Sequence, residues 1–459
     1  MSDLLARALA IKANAAITAL AAQDTNASVY GAYWNKAESP TLTRTNNAVG
    51  KTAAAGVDGG FVSNDFDNLP IFREIGPVTD TLGNVFTRIP KFYIKKTNGP
   101  GFRTWQVSKT KYPGFYLPAC FWDFTLGVEL PYVDVGKYRA TKDGASKLES
   151  KPNLYPLINT HIVNMRTFAL NNNTGGLLGY QQLDIHVVDL LQTLLYVEFA
   201  TLHSQSIMAG FTAGSYSATH VATVAEDAVN RIIVANAHAD LYRVGQAISV
   251  GTSLGGNQIF YGRTITAIDV YDASNKAISF DGATVNIAVN DILYNSGWKS
   301  GFSANIAASS GSIVSNSDGK YPHTYRGIES PWGGAWQFVD GVNITDRQAW
   351  VTPNAADYAS NVFAAPYEQL SYVNGDTSGY VTSLGYDAVR PYAGFPVAVG
   401  GASTTFYADN YGQATDLRIA SFGGYWASIA FAGPSFWDLN YASSAALVFL
   451  GGRLCKKAL

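Results

Sequence analysis

Towards its C-terminal end the sequence reads Leu417-Arg-Ile-Ala-Ser-Phe-Gly-Gly-Tyr-Trp426, and it returns through Ala446-Leu-Val-Phe-Leu-Gly-Gly-Arg-Leu454. Both stretches contain apolar runs of strand length, each with a glycine pair in or just after it. Residues 425–443, between them, combine large aromatic side chains with the Gly, Ser and Asn that are typical of loops. Because loops lie on the protein surface, we expect this segment, here named the display loop, to present aromatic side chains for recognition.

The predicted ligand-binding residues are side chains of the display loop that are aromatic or can form hydrogen bonds. They are Tyr425, Trp426, Ser428, Phe431, Ser435, Phe436, Trp437, Asp438, Asn440, Tyr441 and Ser443. Segment 404–411, Thr-Thr-Phe-Tyr-Ala-Asp-Asn-Tyr, is a second candidate contributor to the same surface. The alternative is that these aromatic side chains pack onto their own scaffold, and the sequence leaves it open.

Two motifs of the chain resemble a known family. Phe-Gly-Gly-Tyr-Trp at 422–426, with Gly-Gly-Arg at 451–453, is similar to the variable region of phage receptor-binding proteins of the major tropism determinant family. Arg-Gly-Ile-Glu-Ser-Pro-Trp-Gly-Gly-Ala-Trp at 326–336 is similar to a second segment of these proteins, although its tryptophans are also typical of a core. The resemblance is most specific over residues 320–455 and weaker over 28–208. Formylglycine-generating enzymes share the same scaffold.

The resemblance implies a C-type lectin-like fold within the mainly β class with a few helices (α+β). It further implies a phage tail adhesin, located in the virion, whose display loop binds a bacterial cell-surface protein or glycan. By the same resemblance the protein forms a homotrimer, and the N-terminal region attaches to other tail proteins. In some relatives a diversity-generating retroelement rewrites this loop, and its Tyr, Ser, Asp and Asn residues suit that scheme.

Composition supports a loop-rich β protein. Charged residues make up 14% of the chain, against about 25% in ordinary soluble domains, and the chain has 44 Gly, 27 Tyr and 23 Phe. The net charge is −2 with the basic residues dispersed, which argues against nucleic acid or an anionic membrane as partner. No apolar run reaches the ~20 residues that span a bilayer. Polar residues interrupt the run at 4–22, so we expect no signal peptide.

The chain divides into four predicted segments. Residues 1–27 hold a helix at 2–22 for oligomerisation or virion attachment, or for packing on the helix's own domain. Residues 28–210 are β-rich and contain a core helix at about 184–203, which has an i, i+3/i+4 apolar stripe and Asp184 as its cap. Residues 211–296 are aromatic-poor and predict an inserted small β-barrel or sandwich. Residues 297–459 complete the lectin-like domain.

No catalytic motif is present, and the sequence predicts no enzyme and no cofactor. The six histidines are scattered, and Cys120 and Cys455 are too few and too far apart for a disulfide framework or a zinc site. The copper chemistry of formylglycine-generating enzymes needs a nearby cysteine pair, which the sequence lacks. Calcium binding by the oxygen-ligand clusters Asp65/Asp67 and Asp409/Asn410 is a further hypothesis, although turn residues look the same.

Two alternative functions remain. The first is a structural tail, collar or baseplate protein, in which the display loop is buried against a partner. The second is a cell-envelope glycan hydrolase, which requires two carboxylates about 5–10 Å apart. Candidates for that pair are Asp123, Asp134, Glu329 and Asp340.

Overall fold

The computed structural model describes residues 28–459, and the predicted N-terminal helix lies outside them. The described chain is mainly β with a few helices, which confirms the predicted class. The C-type lectin-like form of that class stays a prediction. No helix within residues 28–459 combines the length and the apolar composition needed to cross a bilayer.

Residues 28–210 form twelve strands and two α-helices. The strands are β1 (Val29–Trp34), β2 (Thr43–Asn46), β3 (Gly76–Thr79), β4 (Val85–Pro90), β5 (Tyr93–Gly99), β6 (Phe102–Ser108), β7 (Trp122–Asp123), β8 (Val128–Glu129), β9 (Tyr132–Gly136), β10 (Thr141–Lys142), β11 (Leu148–Glu149) and β12 (Tyr180–Gln182). The helices are α1 (Ile162–Leu170) and α2 (Ile185–Phe199). Short 3-10 helices lie at Asp65–Asn68, Phe72–Glu74, Ala119–Phe121 and Ser204–Ser206.

The middle segment contains seven strands and one short helix. They are β13 (Glu226–Val229), β14 (Arg231–Ala235), α3 (Asn236–Ala239), β15 (Gln246–Ser253), β16 (Gly256–Val270), β17 (Asn275–Phe280), β18 (Val285–Ile287) and β19 (Ile292–Trp298). Five of them form a sheet of order β14-β17-β16-β15-β19. A separate hydrophobic cluster that includes Ile232, Val250 and Phe260 lies beneath them. Strand β19 continues two residues beyond the predicted boundary at 296.

Twelve further strands follow. They are β20 (Thr324–Tyr325), β21 (Ile328–Glu329), β22 (Trp336–Thr345), β23 (Gln348–Val351), β24 (Glu368–Gln369), β25 (Gly379–Leu384), β26 (Pro396–Val399), β27 (Asn410–Gln413), β28 (Leu417–Phe422), β29 (Trp437–Leu439), β30 (Leu450–Gly451) and β31 (Leu454–Lys457). The remaining 3-10 helices lie at Ala355–Asp357 and Ile429–Phe431.

The parts of the chain before and after the middle segment fold together. Strand β31 lies between β12 and β9 in a five-stranded sheet of order β12-β31-β9-β4-β3. A larger sheet runs β24-β23-β22-β28-β29-β27-β25-β26, with β30 paired to β22. One hydrophobic core contains residues of both parts, among them Leu194 and Val339. The middle segment therefore lies between two halves of one folded unit.

Helix α2 is the buried centre of this unit. The Asp184 carboxylate caps it by accepting the Val187 N–H at 2.9 Å, as the sequence predicts. All fifteen residues of the helix are buried, since it packs against β22 on one side and β1 and β6 on the other. The helix ends at Phe199 rather than near 203 because Ala200 adopts a left-handed backbone with φ of 52°.

Candidate ligand-binding site

Strand β22 holds the two ends of the display loop close together. Gln337 pairs with Phe422 of β28 on one side and with Gly451 of β30 on the other, so entry and exit lie about 10 Å apart. Gly423 and Gly424 adopt φ of 93° and 82°, which glycine tolerates without strain. A Cβ at Gly424 would lie 2.8 Å from the Cβ of Ala432. The glycine pair thus allows the loop to turn sharply as it leaves the sheet.

Arg453 fixes the exit of the loop from inside the protein. Its guanidinium is 1% exposed and donates to Gln337 Oε1 at 2.8 Å and to the backbone carbonyls of Gly136, Glu329 and Ser330 at 2.7–3.0 Å. Burial lowers the pKa of Arg453 to about 10. The terminal arginine of the motif is therefore a structural anchor of the frame.

The expectation that the display loop presents all its aromatic side chains is wrong. Six of the eleven predicted binding residues are buried: Trp426, Ser428, Ser435, Phe436, Trp437 and Asp438. Part of the loop is strand β29, which pairs with β28 and β27 inside the large sheet. Trp437 packs on Phe395 with ring centroids 4.8 Å apart, and Phe436 packs on Trp336 at 4.5 Å. Trp437 belongs to the core because β29 is paired on both sides within the large sheet. Its neighbour Phe436 is buried with it.

The other five predicted residues reach the surface. Phe431 and Asn440 are exposed, and Tyr425, Tyr441 and Ser443 are half-buried. Ser443 accepts a hydrogen bond from the Asn361 amide at 3.2 Å. Three of these residues belong to two patches: Tyr425 and Tyr441 lie in a cluster of rings, and Phe431 lies in a separate turn.

The larger patch is a cluster of four half-buried rings, Tyr216, Tyr425, Tyr441 and Phe449, here named the aromatic platform. Phe449 lies at its centre, with ring centroids 4.8 Å from Tyr425, 5.8 Å from Tyr216 and 6.4 Å from Tyr441. The Tyr216–Phe449 pair meets nearly edge to face at 86°, an arrangement that aromatic rings prefer, and the other two pairs are tilted at 37° and 52°. Mutual packing holds the rings in place while part of each stays accessible.

Asp438 supplies a carboxylate beside the platform. It is 7% exposed, and Oδ1 accepts from the Asn440 amide at 2.6 Å and from the Asn440 backbone N–H at 3.1 Å. Burial raises the pKa of Asp438 to about 6. Burial and, to a smaller extent, the negative charge of Asp438 raise the pKa values of Tyr425 and Tyr441. The platform thus combines half-buried ring surface and phenolic hydroxyls with the exposed side chain of Asn440, a set that suits a polar ligand with apolar faces. The buried Asp438 carboxylate holds Asn440 in place.

The smaller patch is the turn Ile429–Phe431. Ile429 has φ of 51°, a strained conformation for a β-branched residue, and is 65% exposed. Phe431 is 44% exposed and packs against Tyr380 with ring centroids 5.3 Å apart. The Gln205 amide donates to the Ile429 carbonyl at 2.9 Å and so holds the strained turn.

Segment 404–411 contributes little to this surface. Tyr407, Asp409 and Tyr411 are buried, and Asp409 accepts the backbone N–H of Ser435 at 2.6 Å. The buried residues of this segment therefore support the display loop from the protein interior.

The acidic pairs considered for calcium have protein partners instead. Asp65 accepts from the Thr52 N–H at 2.7 Å, and Asp67 pairs with Arg326 at 2.8 Å. Within residues 28–459, no group of three or more His, Cys, Asp or Glu residues is arranged to hold a metal ion. Cys120 and Cys455 are buried, free thiols.

The carboxylates considered for hydrolysis are also engaged, each with its own partners. Asp134 makes a bidentate pair with Arg88 at 2.8 and 2.9 Å, and Asp340 pairs with Arg166. Asp123 caps a turn by accepting the Thr125 N–H at 2.8 Å. Glu329 accepts the Gly301 N–H at 2.9 Å.

Sequence reasoning missed two members of the platform, Tyr216 and Phe449. Tyr216 was an aromatic residue in an aromatic-poor segment, which is a usable signal. Phe449 was hidden in an apolar run that reads as strand. No protein-family model and no curated protein matches this sequence.

Proposed function

We propose that this protein is a receptor-binding protein of a phage tail, which attaches to a bacterial surface protein or glycan through the aromatic platform. The observation that carries the proposal is the platform itself. Four half-buried rings stand on a frame held by Arg453 and by paired strands. Rigid aromatic side chains lose little entropy when they bind, and adjacent polar groups add directional hydrogen bonds.

The proposed assembly is a homotrimer, by the family resemblance. Three platforms on one particle would raise the apparent affinity for a cell surface through avidity, even with a weak single site. Light scattering coupled to size-exclusion chromatography measures the oligomeric state directly. A monomer that binds cells tightly would contradict the trimer and leave the site proposal standing.

Binding of the purified, labelled protein to host cells tests the function. Tyr425→Ala and Tyr441→Ala are expected to reduce cell binding at least tenfold while circular dichroism stays unchanged. Phe61→Ala is the matched control, because Phe61 is 76% exposed and lies outside the display loop. Protease or periodate treatment of the cells separates a protein receptor from a glycan. Equal binding by all variants would refute the proposed site.

A structural virion protein is the second candidate, because the described chain carries a separate exposed apolar turn. Phe124, Leu126 and Val128 are 40%, 73% and 47% exposed, and such patches suit contacts with other proteins. Under this alternative the isolated protein binds no host cells, and Leu126→Ser weakens its incorporation into particles. The same cell-binding assay therefore separates the two functions.

A further inference from the structure

A small cavity lies between the start of the display loop and the end of the middle segment. Its volume is about 30 Å³, and its lining includes Arg139, Trp298, Glu329 and Trp426. A site of this size holds one or two water-sized guests.

The cavity wall carries hydrogen-bond donors that lack acceptors. Arg139 is 5% exposed and donates from Nη2 to the Gly333 carbonyl at 2.5 Å, whereas its Nε and Nη1 have no protein partner. The indole N–H of Trp426, 1% exposed, also has none. Buried donors without acceptors are strongly unfavourable, above all on a charged group. The arrangement therefore calls for a guest that only accepts.

The local charge points to an anion. Two buried guanidinium groups, Arg139 and Arg453, stand near one carboxylate, Glu329, which leaves one positive charge in excess. The Glu329 oxygens already accept from Gly301 N at 2.9 Å, Ser303 N at 2.8 Å and Ser303 Oγ at 3.0 Å. Burial and, to a smaller extent, the positive charge of Arg453 lower the pKa of Arg139 well below its ordinary value. Arg453 has protein acceptors for its guanidinium, so the donors without an acceptor are those of Arg139.

The same positive charges lower the pKa of a neighbouring histidine. His323 is 0% exposed, and burial, followed by the charges of Arg139 and Arg453, lowers its pKa to about 3. A histidine side chain is neutral or positively charged, so His323 supplies no negative charge to balance Arg139 and Arg453. Its ring packs against Trp332 with ring centroids 4.2 Å apart and an interplanar angle of 51°.

We propose that this cavity binds a single halide ion, chloride under physiological conditions, through the Arg139 guanidinium and the Trp426 indole N–H. The ion neutralises the excess charge and joins the start of the display loop to the segment at 297–300. This site is independent of the receptor-binding proposal, since its donors face the interior and the platform faces the surface.

Bromide replaces chloride in crystals of the whole protein, and anomalous diffraction then locates it. We expect a bromide peak within hydrogen-bond distance of Arg139 and Trp426. In solution, the melting temperature is expected to rise saturably by about 2 °C or more when sodium chloride replaces sodium gluconate at constant ionic strength. Ordered water in place of bromide, or equal melting temperatures in both salts, would overturn the proposal.

Variants separate this site from general salt effects. Arg139→Gln should lose the chloride-dependent rise, while Arg73→Gln, a change of an exposed arginine, should keep it. If Arg139→Gln does not fold, Trp426→Phe removes the indole N–H and keeps an aromatic ring at this position. The melting temperature of this variant should then rise only at a several-fold higher chloride concentration. An unchanged chloride dependence in Trp426→Phe counts against the site.

Discussion

Replacement of Trp437 by alanine tests whether the aromatic side chains of the display loop are core or surface. Trp437 is 1% exposed and packs on Phe395 and Phe422, with ring centroids 4.8 and 5.9 Å away. Removal of a buried Trp costs about 3–5 kcal/mol. The Trp437 indole N–H has no partner, so its loss also removes an unfavourable group, and we expect a value near the lower end, about 3 kcal/mol.

Urea denaturation followed by circular dichroism measures this change. With a slope of about 2–3 kcal/mol per molar urea, the midpoint should fall by about 1–1.5 M. Phe431→Ala is the matched control, because Phe431 belongs to the same loop and is 44% exposed, and its midpoint should move by a third of that or less. If Trp437→Ala leaves the midpoint unchanged, or Phe431→Ala lowers it as much, the division of the loop into core and surface residues is wrong.

Further predictions concern the frame, the carboxylate and the platform. Arg453→Lys keeps the charge but loses most of the four buried hydrogen bonds of the guanidinium. Thermal melting should therefore show a loss of about 3 kcal/mol or more, and a smaller loss contradicts the anchor role. The pKa of Asp438 is raised to about 6, so its contribution to stability is full below pH 4 and is lost as pH rises through 6. Urea denaturation measures the free energy of unfolding of Asp438→Asn and of wild type at both pH values. The difference between variant and wild type should shift by about 3 kcal/mol in favour of the variant from pH 4 to pH 8. Parallel pH profiles of the two proteins would refute this. Tyr216→Ala should weaken cell binding as much as Tyr425→Ala, whereas unchanged binding would remove Tyr216 from the platform.

Local patterns predicted the elements whose signals are contained in short stretches. The apolar stripe and the cap at Asp184 predicted α2, and the apolar run before the glycine pair at 423–424 predicted strand β28. The end of α2 was misplaced because Ala200 adopts a left-handed conformation that local sequence disfavours. Surrounding contacts, such as the Leu42 N–H bonding the Ala200 carbonyl at 2.8 Å, favour it.

The candidate site was predicted only in part. Tyr425, Asn440 and Tyr441 are accessible, as the loop composition predicted, while Trp426 and Trp437 are not. A tryptophan in a glycine-rich loop looks the same in sequence whether it faces solvent or a neighbouring strand. Its burial depends on partners such as Phe395, which local sequence does not identify.

The sequence alone determined that this protein is mainly β, that a buried helix crosses its centre, and that its C-terminal region carries a glycine-framed aromatic loop. These properties follow from composition and from periodicity over a few residues. Only the tertiary structure decided which rings are buried, that Tyr216 and Phe449 join Tyr425 and Tyr441, and that Arg139 and Trp426 share a cavity. Each of these depends on contacts between residues far apart along the chain, where packing and charge are set by three-dimensional neighbours.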